Sequence, residues 1–511
     1  MNRYVVAVDI GTTSTKVAVI DKEGRIHASS AIEYPLHTPA PDRAEQDPYE
    51  ILRSASSAVH RAMSQASLSH LDIRCVSLSS AMHSLIALDR EGIALTPCLT
   101  WADNRSAAYV LKLQEQHDAH AIYRATGTPV HPMSPLLKLM WLREQRPDLY
   151  MRTYKFVSIK EFITYHWCNV FVIDQSIASA TGLYALRDRD WYMPSLTAAG
   201  IAPEQLSTLV PTTHILQGIE RTWADQLGLS IHTPVVIGAS DGVLANVGVG
   251  AVRSDTFAVS IGSSGAVRAM VHEPTTDPLE RTFCYALTED RWVIGGAINN
   301  GGILFRWVRD ELATQEAEEA RIAGIDPYER LTALARDVPA GSGGLIVLPL
   351  FAGERAPYWN ADVRGVFFGL SLAHGKKHMI RAVLEGIGYA IRSVAESVQF
   401  TTGKPLEIRA SGGFARSPFW RQTLADILGT RLSVPNSIES SALGAAALGL
   451  YALGDLPSLE AAENWSEITD QHVPHPANQI IYDELYAMYT DVYTQLVEPF
   501  ARISAFQKNN S

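Results

Sequence analysis

Residues 4–20 read YVVAVDIGTTSTKVAVI, two β-branched apolar runs on either side of a short Gly/Thr centre. The pattern predicts strand, tight turn, strand. Residues 256–268 repeat it as TFAVSIGSSGAVR, at an offset of 251 residues that sets Asp9 against Ser260. A repeat of half-chain length is too long for a solenoid and points to two similarly built domains. Asp47-Pro48 predicts a helix start, with Asp as N-cap and Pro at the first helical position. Ile51, Ala55, Val59 and Ala62 then form its apolar stripe. Val235-Val236-Ile237 predicts a buried strand ending at Gly238-Ala239-Ser240-Asp241-Gly242, and Leu345–Pro349 and Leu406–Ala410 predict two more. A long helix is expected from about Lys377, with Ile380, Val383, Leu384, Ile387, Ile391 and Val394 on one face, and Ser417-Pro418 caps another. Strands and helices alternate in both halves, which favours an α/β class, with the main boundary at 246–255.

Composition narrows the function classes. The chain has 511 residues, 47% apolar and 19% charged, the balance of a globular protein with several cores. Its net charge of −11 argues against nucleic-acid or anionic-membrane partners. Cys75, Cys98, Cys168 and Cys284 are scattered with no CxxC pair, so zinc-ribbon and thioredoxin chemistry have no support, and a reducing compartment, the cytoplasm, is expected. No apolar run is long enough to span a membrane.

Several segments could carry chemistry. Gly11-Thr12-Thr13 and Gly262-Ser263-Ser264 offer hydroxyl and backbone donors with little bulk, as phosphate oxygens need. Asp9 beside the first turn suits a hydrated Mg²⁺; the alternative is two ordinary β-turns. Asp241 at a strand end is placed to accept a proton from a hydroxyl, or merely to cap the next turn. Gly412-Gly413 through Ser417, and Asn300-Gly301, precede helices and allow close approach of a nucleotide, or are plain strand-to-helix turns. His374 and His378 lie four apart but lack a third ligand, so a solvated helix start is expected. There is no Walker A loop and no dinucleotide fingerprint.

Residues 133–145 (MSPLLKLMWLREQ) and the stretch from Gly365 to Glu385, with DIGTT, GASDG, GERAPYW (Gly353–Trp359) and SGGFARS (Ser411–Ser417) in order, resemble the FGGY carbohydrate kinases over residues 4–453. The resemblance implies two ribonuclease-H-like domains of the actin/hexokinase/heat-shock-70 type with an interdomain cleft: 1–246 for sugar and base, 247–455 for nucleotide, and 456–511 as a helical extension. It implies ATP-dependent phosphorylation of a sugar or polyol hydroxyl. Asp241 becomes the base and Asp9 the carboxylate that holds Mg²⁺ through water. Gly11, Thr12, Thr13, Gly262, Ser263 and Ser264 become phosphate ligands, with Asn300, Gly301, Gly412, Gly413 and Ser417 around the nucleoside. By the same likeness Met82, His83, Trp101, Asp103 and Arg105 line the sugar site together with Asp241. Their segments, SAMHSLIALD and TWADNRS, resemble most those of gluconate-phosphorylating members. A xylulose or other pentulose or polyol kinase is the alternative, and a non-catalytic sugar or nucleotide sensor a more distant one. A gluconate carboxylate needs a strong donor; His83, Arg105 and Lys138 are the candidates, with helix packing the other role for Lys138. Lys160-Glu161 is expected to be a surface ion pair. The family likeness also allows a homodimer.

Overall fold

The computed structural model describes residues 3–436 and 439–510. The chain forms two compact units. One gathers the residues up to Val252 with Met270–Ile294 and the segment from Glu439 to Ser466. The other gathers Arg253–Ala269, the segment from Gly295 through Asn436, and residues from Glu467 onward.

The first unit is built on a six-stranded sheet in the order Ile215–Leu216, Val235–Ser240, Ile73–Ser80, Tyr4–Ile10, Ser14–Asp21, Ile26–Glu33. The Tyr4–Ile10 strand pairs antiparallel with Ser14–Asp21 and parallel with Ile73–Ser80. Side chains of a strand alternate between faces, and both faces here are covered. Val6, Val8 and Ile10 pack on Ile51, Ala55 and Val59 of helix Pro48–Ala66. Val5 and Ala7 pack on Val243 and Val247 of helix Asp241–Gly248 and on Ala442, Ala445 and Leu448 of helix Ser440–Ala452. Double coverage explains why the opening strand is apolar throughout instead of alternating. Asp47 caps the first helix as expected, accepting from Tyr49 N at 2.8 Å.

In the second unit, Thr256–Ile261 pairs antiparallel with Gly265–Val271 through residues 257–269 and parallel with Glu407–Ser411, which adds Arg431–Pro435 and Ile468–His472 in turn. The arrangement repeats the hairpin-plus-parallel-strand core of the first unit. Helix Lys376–Thr402 is buried along most of its length. Its Glu385 accepts from Arg381 Nε (2.7 Å), Ser342 Oγ (2.7 Å) and Tyr482 Oη (2.9 Å), so this buried ion pair is fully hydrogen-bonded. Tyr482 belongs to the long helix Pro476–Asn510, whose Tyr486 and Tyr489 pack on Ile346, Leu348 and Tyr389. The four cysteines are free thiols. Among the described residues no helix is long and apolar enough to cross a membrane.

Candidate functional site

Three adjacent parallel strands of the first unit set the positions of the two candidate carboxylates. In register, Asp9 lies opposite Ser79, and Ser79 lies opposite Ala239. Asp241 follows two residues later as the first residue of its helix. Neighbouring strands are about 4.8 Å apart, so both carboxylates stand at the same end of the sheet, where ligands collect in α/β folds. Ser79 Oγ donates to Asp9 Oδ1 at 2.7 Å. The surrounding protein desolvates Asp9 and pushes its carboxyl up to about 7; the negative charge of Asp241 adds to this, while Ser79 and Lys16 oppose it. Gly242 N donates to Asp241 Oδ1 at 2.6 Å, and the start of a helix favours a carboxylate.

The first hairpin sits beside this pair. Its turn closes through Gly11 N and Ser14 O at 3.0 Å. The phenol of Tyr34 donates to Gly11 O (2.6 Å) and Gln46 Nε2 to Thr12 O (2.6 Å), while Thr13 is exposed. Trp101 Nε1 donates to Thr12 Oγ1 at 2.9 Å. A hydroxyl that accepts one bond keeps its own O–H to donate, so Thr12 links the hairpin to the segment around Trp101.

The proposed sugar segments prove to be tied together. Lys138 Nζ donates to the carbonyls of His83 (2.7 Å), Thr100 (2.7 Å) and Met133 (2.9 Å). These three bonds use every proton of the ammonium, and desolvation lowers its pKa to about 7. Lys138 is therefore a stitch between loops, the packing role considered from sequence. Arg105 bridges two carboxylates. Its Nε and Nη2 reach both oxygens of the fully buried Asp103 at 2.7 Å each, Nη2 also bonds Glu45, and its guanidinium lies 5.0 Å from the Trp141 ring centroid. His83 is buried at φ +67°. Its Nδ1 donates to Ala180 O at 2.7 Å, which leaves Nε2 toward Tyr285 Oη at 3.4 Å. Met82 and Trp101 are partly exposed.

One expectation is overturned. Lys160 and Glu161 form no surface ion pair: both are buried, Lys160 bonds the buried Asp174 at 2.6 Å, and Glu161 closes a capping box with Ser158. The Ser158 cap starts helix Ile159–Cys168 with these residues facing the core. Lys160 also donates to Ile237 O and Ala239 O, in the strand that leads to Asp241.

In the second unit a cavity of about 530 Å³ opens beside the other hairpin, a size suited to a small-molecule ligand. Gly262, Ser263, Gly413 and Ser417 line it. Gly412 lies just behind, at φ +92°, where a Cβ would come within 2.5 Å of Ile261 O; only glycine permits that approach. Ser417 caps helix Pro418–Leu428, accepting from Trp420 N at 3.3 Å. Asn300 is fully buried and its amide is bonded to Ala352, Gly353 and Glu354, so its side chain belongs to the wall behind the hairpin. Gly301 donates its N–H to Ser263 O at 3.2 Å. Phe305, Arg306, Asp326, Tyr328 and Trp420, which the sequence did not mark as site candidates, are among the other residues that line the cavity. The available signal was Asp326-Pro327, a helix start of the same kind as Asp47-Pro48. Among the described residues, no group of three or more His, Cys, Asp or Glu could hold a metal ion.

The models of the N-terminal and C-terminal domains of the FGGY family of carbohydrate kinases match residues 4–248 and 257–453. A gluconokinase of Bacillus subtilis (strain 168) is 45% identical over 509 residues, covering 99% of each chain. The crystal structure of gluconate kinase from Lactobacillus acidophilus aligns with a TM-score of 0.92 at 34% identity, covering 98% of this chain and 99% of that one. A ligand-bound xylulose kinase structure from Lactobacillus acidophilus aligns with the same TM-score, identity and coverage.

Proposed function

The chain belongs to the FGGY family of carbohydrate kinases, and from that premise we propose that it transfers a phosphoryl group from ATP to D-gluconate, giving ADP and 6-phospho-D-gluconate. The observation that carries the chemistry is the pair of carboxylates, Asp9 and Asp241, at one end of the first unit's sheet. Full-length identity of 45% to a gluconokinase supports gluconate as the acceptor.

Asp241 accepts the proton as the C6 hydroxyl oxygen forms its bond to the γ-phosphorus and the bond to the β-phosphate oxygen breaks. General-base help of this kind contributes about 10²–10⁴ in rate. Phosphoryl transfer otherwise needs positioning and charge stabilisation. Thr12 and Thr13 of the first hairpin, and Ser263, Ser264 and the Gly262 amide of the second, supply donors for the phosphates. Residues 1–246 carry the acceptor and base, and 247–455 carry the nucleotide, with the cavity beside Ser263 as the nucleoside pocket.

The residues fit a magnesium ion. Asp9 is a hard oxygen ligand whose pKa is raised by burial first and by the neighbouring Asp241 charge second, a cost that a cation would relieve, and Mg²⁺ is commonly held by one or two carboxylates, waters and substrate phosphates. Asp9 would hold it through water, and when bound it neutralises charge on the phosphates. With every proton of Lys138 donated to backbone carbonyls, His83 and Arg105 are the remaining candidates to meet the gluconate carboxylate.

Equal structural likeness to a xylulose kinase supports a second reading, pentulose phosphorylation. A coupled ADP-release assay over aldonic acids, ketoses and polyols decides between them. Gluconate is expected to give the highest kcat/KM; higher kcat/KM with xylulose would reject the first reading in favour of the second.

A further inference from the structure

The GERAPYW segment supplies a buried carboxylate that the proposed chemistry does not use. Glu354 is 2% exposed. Three donors converge on it: Asn299 N, Arg355 N at 2.9 Å and Asn300 Nδ2 at 3.2 Å. Asn300 Nδ2 also donates to Gly353 O at 2.8 Å, and Asn300 Oδ1 accepts from Ala352 N at 3.0 Å. Arg355 closes the arrangement, with Nε on Asn299 Oδ1 (2.8 Å) and Nη2 on Ile298 O (3.1 Å). Residues 298–300 are thus clamped to residues 352–355, with Glu354 at the centre.

The clamp continues directly into the phosphate hairpin. Gly301 N and Ile303 N donate to Ser263 O at 3.2 and 3.0 Å, and Gly302 N donates to Gly262 O at 2.7 Å. Contact is close enough that a Cβ on Gly302 would meet Gly262 O at 2.6 Å. The hairpin tip itself is exposed and lines the cavity. A tip that presents donors to phosphate works only if it is held in place, because misplacement of about 1 Å costs a positioned group most of its effect.

We propose that Glu354 is a positioning residue for the nucleotide: it holds Asn299–Ile303, which in turn holds the Gly262–Ser263 tip, so that ATP affinity depends on a carboxylate that touches no ligand. The proposal rests on the nucleotide reading of the cavity and is independent of which sugar is the acceptor. The clamp requires a group that only accepts. Glu354→Gln keeps the shape but turns an NH₂ against at least one of the three donors.

The test measures ATP binding to full-length protein by calorimetry without sugar, together with KM values and amide hydrogen exchange. For Glu354→Gln, the dissociation constant for ATP is expected to rise about tenfold or more. KM for gluconate should stay within about twofold, since its segments lie in the other unit. Amides of residues 301–303 should exchange faster. Asn300→Ala, which leaves two donors on Glu354, is expected to move the same quantities less, about threefold, and serves as the reading if the Gln variant does not fold. ATP affinity and amide exchange equal to those of the parent in either folded variant would overturn the proposal. A purely structural role would lower Tm while leaving the ATP constant of the folded fraction unchanged, which also overturns it. A parent protein that binds no ATP would remove the nucleotide reading itself, an outcome distinct from both.

Discussion

The hairpins after Ile10 and Ile261 share a strand-turn-strand plan but differ in the turn, since Ile10 pairs with Thr15 and Ile261 with Gly265, one residue sooner, and they differ in their surroundings. Each closes an antiparallel pair whose first strand also pairs with a parallel neighbour, Ile73–Ser80 in one unit and Glu407–Ser411 in the other. At the matched strand position the first has Asp9, bonded to Ser79, and the second has Ser260, bonded to Arg268 at 3.3 Å. In the proposed mechanism the carboxylate would attract a cation and stand beside the base, and a hydroxyl beside a guanidinium would leave the second site tolerant of phosphate. Neighbours diverge as well. Thr12 is bonded to Trp101 of a proposed sugar segment, whereas Ser263 is backed by the Gly301–Ile303 turn and borders a cavity. A duplicated scaffold with one changed residue at a strand end and different loops behind it can thus serve two ends of one reaction.

The sharpest way to break the comparison is Asp241→Asn. It is expected to lower kcat by about 10²–10⁴ while ATP binding, measured by calorimetry, stays within about twofold. Residual turnover above a tenth of the parent would mean that another group removes the proton.

Exchanging hydroxyls tests the two hairpins against each other. Ser263→Ala is expected to reduce kcat/KM for ATP about tenfold, through loss of a donor to a charged group, with KM for gluconate unchanged. Thr12→Ala also removes the Oγ1 that accepts from Trp101 Nε1, so it should change the kinetic constants of both substrates. Identical profiles for the two variants would remove the distinction between the hairpins.

Asp9 bears on stability as well as on the proposed chemistry. Its pKa in the folded protein is about 7, above the ordinary value of 3.8. The protonated, folded form is therefore favoured at low pH, and this contribution is lost as pH rises from about 4 through 7. Asp9→Asn removes the loss. In metal-free buffer it should raise Tm by a few degrees, more at pH 8 than at pH 5, while activity falls. A lower Tm at pH 8 would show that the carboxylate is not paying a desolvation cost. The smallest effect is expected from Ser417→Ala, which deletes a helix N-cap: about 1 kcal/mol, or roughly 2–4 °C in a thermal scan.

Local signals were enough for much of the fold. The Asp47-Pro48 and Ser417-Pro418 helix starts, both hairpins, and the strands at 235 and 407 follow from short-range patterns. Charged residues were harder to read, because nothing local distinguishes a buried charge from a solvated one. Lys160 reads as half of a surface pair until Asp174 and the carbonyls of residues 237 and 239 close around it. Lys138 reads as a possible ligand for an anion until three backbone carbonyls take its protons, and Arg105 proves to bridge Asp103 and Glu45.

What the amino-acid order determined alone was periodicity, capping and the repeat, since these depend on neighbours within a few residues or on direct comparison of two segments. Tertiary structure decided which polar groups remain available. Lys138 and Thr100 are far apart in the chain yet 2.7 Å apart in space, as are Asn300 and Gly353 at 2.8 Å. Hydrogen-bonding capacity is finite, and only the folded arrangement shows where each proton and lone pair has been used.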